Sequence, residues 1–184
     1  MRLFFTHTQH KQKGKINMSS QEPPQQVPTY IQANIHPEDE KDILGVCERM
    51  GLDQVPSQHI SIIYCQYGTR NHQTIEYKEP KIAKVKGWIQ FLSTQEQKTI
   101  LSISIECDHL HERHAEELKQ MDEKAKKSDI NKNHQQFSSY DLQVYVPHLT
   151  ISYNCLTVPT QTPQSLGFPA SIRIVGETSV PFKV

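Results

Sequence analysis

Long apolar runs are missing from this 184-residue chain, and so is any excess of charge: twenty Lys and Arg balance twenty Asp and Glu. The first absence leaves no stretch of transmembrane length. The opening Met1-Arg2-Leu3-Phe4-Phe5 is also too short an apolar run for a signal peptide, so a cytoplasmic protein without a membrane partner is expected. The second absence removes the whole-molecule positive field on which binding to long nucleic acid leans, but leaves room for a small phosphorylated ligand in a local pocket. Cysteine is sparse and scattered. Cys47, Cys65, Cys107 and Cys155 form no C-x-x-C pair, which argues against a zinc site or a catalytic thiol and for buried free thiols in a reducing compartment. H-E-x-x-H is absent as well. In Asp108-His109-Leu110-His111-Glu112-Arg113-His114 the last two histidines are three apart, so the cluster reads as an exposed, charged helix start, and no metal is expected.

What is present suffices for one domain with a real core. Residues 1–28 carry Gln- and Pro-rich tracts without apolar period and read as a flexible leader, with Met18 an alternative start. A strand is expected over about 29–36. A helix opened by Pro37-Glu38-Asp39-Glu40 and stopped at Gly51 should follow, its inward stripe formed by Ile43, Leu44, Val46, Cys47 and Met50. Further strands are expected over about 58–65, 81–92, 99–107 and 145–154, a helix over about 108–127, and two short closing strands near 170–175 and 178–182. Residues 66–79 read as a polar loop and 122–136 as a disordered insertion, solvated from residue 128 onward and without core to contribute. Strand-helix-strand units in two halves imply an α+β fold with a central cleft.

Two strands carry the same string. Gln58-His59-Ile60-Ser61-Ile62-Ile63-Tyr64 and Pro147-His148-Leu149-Thr150-Ile151-Ser152-Tyr153 share the order His, aliphatic, hydroxyl, Ile, any residue, Tyr. In a strand, residues two apart face the same side, so His59 with Ser61, and His148 with Thr150, each present an imidazole beside a hydroxyl. Chance alone can produce H-x-[ST] in a chain with this many His, Ser and Thr. His72-Gln73-Thr74-Ile75-Glu76-Tyr77 is such a case, in polar surroundings and too close to the first copy to belong to a second half. Taken singly, His59 and His148 would be ordinary hydrogen-bonded strand histidines. As two aliphatic-framed copies in separate halves they point to a catalytic pair. Cleaving a phosphodiester needs a base for the attacking oxygen, an acid for the leaving oxygen and donors for the nonbridging oxygens. Two imidazoles can divide the first two roles near neutral pH, and Ser61 and Thr150 can supply the donors, with no metal required.

The paired motifs resemble those of the two-histidine phosphoesterase superfamily, and within it the phage anti-CBASS cyclic-nucleotide phosphodiesterases. The similarity runs from about residue 29 to the end. Besides the motifs it rests on Thr29-Tyr30-Ile31 before the Pro-Glu helix start, Lys86-Gly87-Trp88, Leu110-His111-Glu112-Arg113-His114-Ala115-Glu116, Tyr140-Asp141 and Gly176-Glu177. The resemblance implies the two-lobed two-histidine phosphoesterase fold, with antiparallel sheets around a central cleft, and metal-independent cleavage of 3′,5′ bonds in cyclic oligonucleotides by the paired histidines. By the residues alone, Tyr30 and Trp88 would be core aromatics and Glu177 a surface carboxylate near a turn. The resemblance instead makes Tyr30 and Trp88 base-stacking positions and Glu177 a base-contacting carboxylate. Ser61 stands where Thr is commoner but keeps the hydroxyl. Alternatives are a 2′,3′-cyclic phosphodiesterase or RNA-end enzyme, and a sponge that sequesters the nucleotide intact.

Overall fold

Branched aliphatic residues at alternate positions bury one face of each strand, and edge-to-edge pairing closes the six strands of the described residues on themselves. The computed structural model describes residues 29–53, 55, 57–65, 74–93, 98–127, 145–155 and 157–181. The expected leader, the His72 string up to residue 73, and residues 128–136 of the expected insertion lie outside them. The strands are β1 (Thr29–Ile35), β2 (His59–Cys65), β3 (Thr74–Ser93), β4 (Lys98–Glu106), β5 (His148–Ser152) and β6 (Ser171–Pro181). They form a closed antiparallel barrel in the order β1-β2-β5-β4-β3-β6. With helices α1 (Pro37–Arg49) and α2 (Asp108–Lys127) the chain is α+β, as its pattern of elements implied. Among the described residues, no helix is long and apolar enough to cross a membrane.

The helices begin and end for local reasons. Pro37 occupies the first turn of α1, where its missing N–H costs nothing, and the His36 imidazole accepts the Glu38 N–H. Glu38, Asp39 and Glu40 sit at the positive end of the helix. Beyond its C-terminus Gly51 takes φ +66°, a left-handed conformation that glycine adopts without a Cβ clash. Asp39 is buried and accepts from both the backbone N–H and the guanidinium of Arg173, which fastens α1 to β6. One core unites Ile43, Val46 and Cys47 of α1 and Leu110 of α2 with the inward residues of all six strands, among them Ile60, Ile103, Leu149 and Ile174. Both helices therefore cover the same face of the sheet.

The two halves repeat a strand-helix-strand-strand order down to their irregularities. In the first half Asn34 pairs with His59, Ala33 with Ile60 and Gln32 with Ser61, after which the register jumps past Ile62. In the second half Ser104 pairs with His148, Ile103 with Leu149 and Ser102 with Thr150, after which it jumps past Ile151. The outer neighbours follow suit: Asn34 and Ala33 pair with Gly176 and Glu177, as Ser104 and Ile103 pair with Gly87 and Trp88. The aliphatic positions at 60, 62, 149 and 151 are all buried, and this is what locks each register.

Three local expectations change. Residues 74–79 are not loop but the first part of the single long strand β3: Thr74, Ile75 and Glu76 pair with Thr178, Glu177 and Gly176 of β6, and Thr74, Glu76, Lys78 and Glu79 are exposed. The two short closing strands are one, and Gly176 lies inside β6 rather than at a turn. A Cβ there would stand 2.2 Å from the Ile75 carbonyl oxygen, so glycine permits close approach of β3 where a turn was expected. Helix α2 ends at Lys127 as its spacing indicated, so residues 122–127, also read as the start of a disordered insertion, are helical.

Candidate active site

The motif strands meet. β2 and β5 are antiparallel neighbours joined through the pair Ile60 and Leu149, both buried. That register sets His59 opposite Thr150 and Ser61 opposite His148, all on the face away from the helices. Residues 89 apart in the sequence thus form one patch of two imidazoles and two hydroxyls, each half-buried. The rings are close enough that charge on His148 depresses the pKa of His59.

Each imidazole is held alike. The Nδ1–H of His148 donates to the carbonyl of Val146 at 2.8 Å, and that of His59 to the carbonyl of Ser57 at 3.2 Å, in both cases two residues upstream. A carbonyl oxygen only accepts, so in each ring the proton resides on Nδ1 and the Nε2 lone pair remains for a substrate. Burial lowers the pKa of both rings below the usual imidazole value, opposed in each by that carbonyl bond. A neutral ring can take a proton at Nε2, and a protonated one can give it back.

Aromatic rings stand on either side of the pair. The Tyr30 ring is 5.5 Å from that of His59 and the Phe91 ring 4.6 Å from that of His148, centroid to centroid. The Tyr30 phenol is pushed up first by burial and then by the neighbouring Tyr153. Beside His59 runs a polar chain: the Gln32 amide donates to Asn34, Asn34 donates to Thr178 at 2.8 Å, and the Thr178 and Thr74 hydroxyls lie 3.4 Å apart. Phe91, Tyr153 and Asn34 were not singled out from sequence. The signal was available in the alternation of Tyr30-x-Gln32-x-Asn34 and of Ile89-x-Phe91, whose outward members share the face of the paired histidines.

Trp88 and Glu177, expected at the bases, stand elsewhere. Both pair with core-facing residues, Ile103 and Ala33, and so project toward the apolar face rather than the imidazoles. The Trp88 indole donates to the Gln161 carbonyl at 2.7 Å and lies edge-on to buried Phe168. Glu177 is 2% exposed and accepts from Arg113 Nε at 2.7 Å, from Arg113 Nη2 at 2.9 Å and from the Tyr77 hydroxyl. Burial alone would raise its pKa, but these donors hold it below the ordinary carboxylate range.

The segment 108–114 is the charged helix start expected, with Asp108, His111 and Glu112 exposed, but one side of it turns inward. His114 and Glu117 are buried, and Arg113 reaches inward to Glu177 and Glu117. Glu117 lies three residues beyond His114 and four beyond Arg113, so the three share one side of the helix. Among the described residues no group of three or more His, Cys, Asp or Glu is placed to hold a metal ion. Cys47, Cys107 and Cys155 are free thiols, the first two buried.

A scan against protein-family models finds no match to the chain, and a search of curated proteins finds no relative.

Proposed function

We propose that the chain is a metal-independent phosphodiesterase of the two-histidine phosphoesterase kind. It would cleave 3′,5′ bonds of cyclic oligonucleotides, cyclic dinucleotides such as cGAMP foremost and trinucleotides as a further class. By that activity it would remove the second messengers of bacterial CBASS defence, acting in the bacterial cytoplasm. The two halves would correspond to the two lobes of that fold, with the β2 and β5 seam at the cleft. The observation that carries the reading is the meeting of His59, Ser61, His148 and Thr150 at one seam, with both Nδ1 atoms tied to carbonyls.

One imidazole removes the proton of a ribose 2′-hydroxyl through Nε2, and the 2′-oxygen attacks the adjacent phosphorus. The bond from phosphorus to the 5′-oxygen breaks, and the departing oxygen takes a proton from the other imidazole, held as imidazolium. Ser61 and Thr150 donate to the nonbridging oxygens as charge builds there. The product is a 2′,3′-cyclic phosphate with a free 5′-hydroxyl, which water opens when the two imidazoles exchange roles. Tyr30 beside His59 offers a face for a base. Trp88 and Glu177 support such stacking only indirectly, by packing the strands that hold it.

The test is incubation of the chain with cyclic di- and trinucleotides in excess chelator, followed by product analysis. Linear or 2′,3′-cyclic-phosphate products, lost in His59→Ala and His148→Ala, are expected. Full activity of His148→Ala would sink the assignment. Intact nucleotide recovered after denaturing a tight complex would replace it with a sponge, and turnover of 2′,3′-cyclic mononucleotides alone with an end-processing enzyme.

A further inference from the structure

Resting on that reading, we infer that Tyr145 and His114 are positioning residues that hold the Ser61 motif against the His148 motif. The need for one of them follows from the two registers of β2. Beyond Ile60 and Leu149 the antiparallel register would bring Pro147 opposite Ile62, and proline has no N–H to donate. Strand β1 cannot supply the bond either, because its register with β2 passes over Ile62. A buried carbonyl left without a donor is costly, so the donor to Ile62 must come from a side chain.

One side chain supplies it, and a second takes the neighbouring carbonyl. His114 Nδ1–H of α2 donates to the Ile62 carbonyl at 2.7 Å. The Tyr145 hydroxyl donates to the Ser61 carbonyl at 2.9 Å. Their rings lie face to face, 4.1 Å between centroids with planes 4° apart, and His111 closes the far edge of Tyr145 in a T-shaped contact at 5.4 Å. Burial keeps the phenol protonated and therefore a donor. Tyr145 precedes His148 by three residues, so one stacked pair grips the backbone of the Ser61 strand while sitting on the approach to His148. His111 and His114, spaced three apart as if for a metal, here frame a tyrosine. The relative placement of the two motifs is set in large part by this clamp, since the strands share one ladder pair.

Tyr145→Phe removes only the hydroxyl and keeps the stacked ring, so the variant folds. Its kcat should fall roughly ten- to a hundredfold with KM little changed, the cost of a small misplacement of acting groups. His114→Leu should do the same, and His114→Asn, whose amide can replace the Nδ1–H, should restore most of the loss. If Tyr145 acts through Ser61, adding Tyr145→Phe to Ser61→Ala should cost much less than it does alone. Imidazole nitrogen NMR supplies a readout that needs no turnover: Tyr145→Phe should move the resonances of His59 and His148 and leave that of His109 in place. Unmoved His59 and His148 resonances, or an unchanged kcat alongside a lowered melting temperature, overturn the clamp. An inactive wild-type chain whose resonances move as described refutes the phosphodiesterase and keeps the clamp.

Discussion

Arg113 and Glu177 form a two-pronged ion pair under the sheet, Nε to one carboxylate oxygen at 2.7 Å and Nη2 to the other at 2.9 Å. Glu177 is buried, and Arg113 also reaches Glu116 and Glu117. Removing the cation leaves buried Glu177 with the Tyr77 hydroxyl and takes a charged donor from buried Glu117, which costs more than the pair itself contributes. Arg113→Ala should therefore lose stability at the lower end of about 3–5 kcal/mol, because Arg113 keeps some exposure and water can reach part of the hole. Urea unfolding followed by circular dichroism measures this. A loss under about 1 kcal/mol, the range of exposed pairs, would show that the carboxylates find other partners.

The same geometry separates two roles for Glu177. A carboxylate that reads bases would, when changed to Gln, alter the preference among nucleotides. One locked beneath the sheet by Arg113 and Tyr77 should instead lower stability and leave the ratio of kcat/KM values between cyclic dinucleotides unchanged. Side-by-side kinetics of Glu177→Gln on two substrates with different bases decides between them, and a changed ratio would bring Glu177 back to the nucleotide.

The acid and base roles give a pH dependence with a definite sign. Burial lowers both His59 and His148 from the ordinary value near 6.5, and charge on His148 lowers His59 further. Catalysis needs one ring neutral and the other protonated, so the kcat/KM profile of the free protein is a bell whose limbs belong to the pair. Both limbs move down with the pKa values, and the optimum is expected below pH 6.5, with activity falling through neutrality. A bound phosphodiester anion favours imidazolium, so the kcat profile should lie at higher pH than that of kcat/KM. An optimum of kcat/KM above pH 7.5 would contradict this placement of the rings.

Much of the fold was legible because its signals are local. Helix α2 falls on residues 108–127 as its charged and apolar spacing indicates, and β2 and β5 follow their aliphatic alternation. The polar start of β3 was not legible. A strand whose side chains face water has no apolar period, and only pairing with β6 reveals it. Gly176 misled for a related reason: the residue that marks turns also marks close approach of two backbones, and one sequence cannot distinguish them. The paired histidines were legible from a repeated string, whereas the facing of Trp88 and Glu177 depends on registers with β4 and β1 that no local pattern encodes. His114 and Tyr145 escaped because their partners are backbone carbonyls of β2 at residues 61 and 62.

The lowered pKa values also make stability depend on pH. An imidazole whose folded pKa lies below its unfolded value binds fewer protons folded than unfolded, so stability rises with pH through that window. The contribution of His59, His148 and His109 is complete above their unfolded value of about 6.5 and is lost as pH falls through their folded values. The double variant His59→Asn, His148→Asn should lose less stability than wild type between pH 7 and pH 5, measured by urea midpoints at each pH. Equal slopes for the two proteins would show that neither ring is held neutral by the fold.

Gly176 and Gly87 occupy matching positions in the two halves, each paired with the residue that pairs with a motif histidine. Their surroundings differ. A Cβ on Gly176 meets the Ile75 carbonyl oxygen at 2.2 Å and the Glu76 Cα at 3.3 Å, whereas one on Gly87 meets nothing within 4 Å. Backbone atoms cannot rotate away, so Gly176→Ala must part β6 from β3 and should cost about 1–3 kcal/mol, as overpacking does. Gly87→Ala meets no such contact and restricts the unfolded chain, so it should be neutral or stabilising by up to about 1 kcal/mol. Paired urea titrations of the two variants test the contrast, and equal losses would mean that the two halves approach their third strands in the same way.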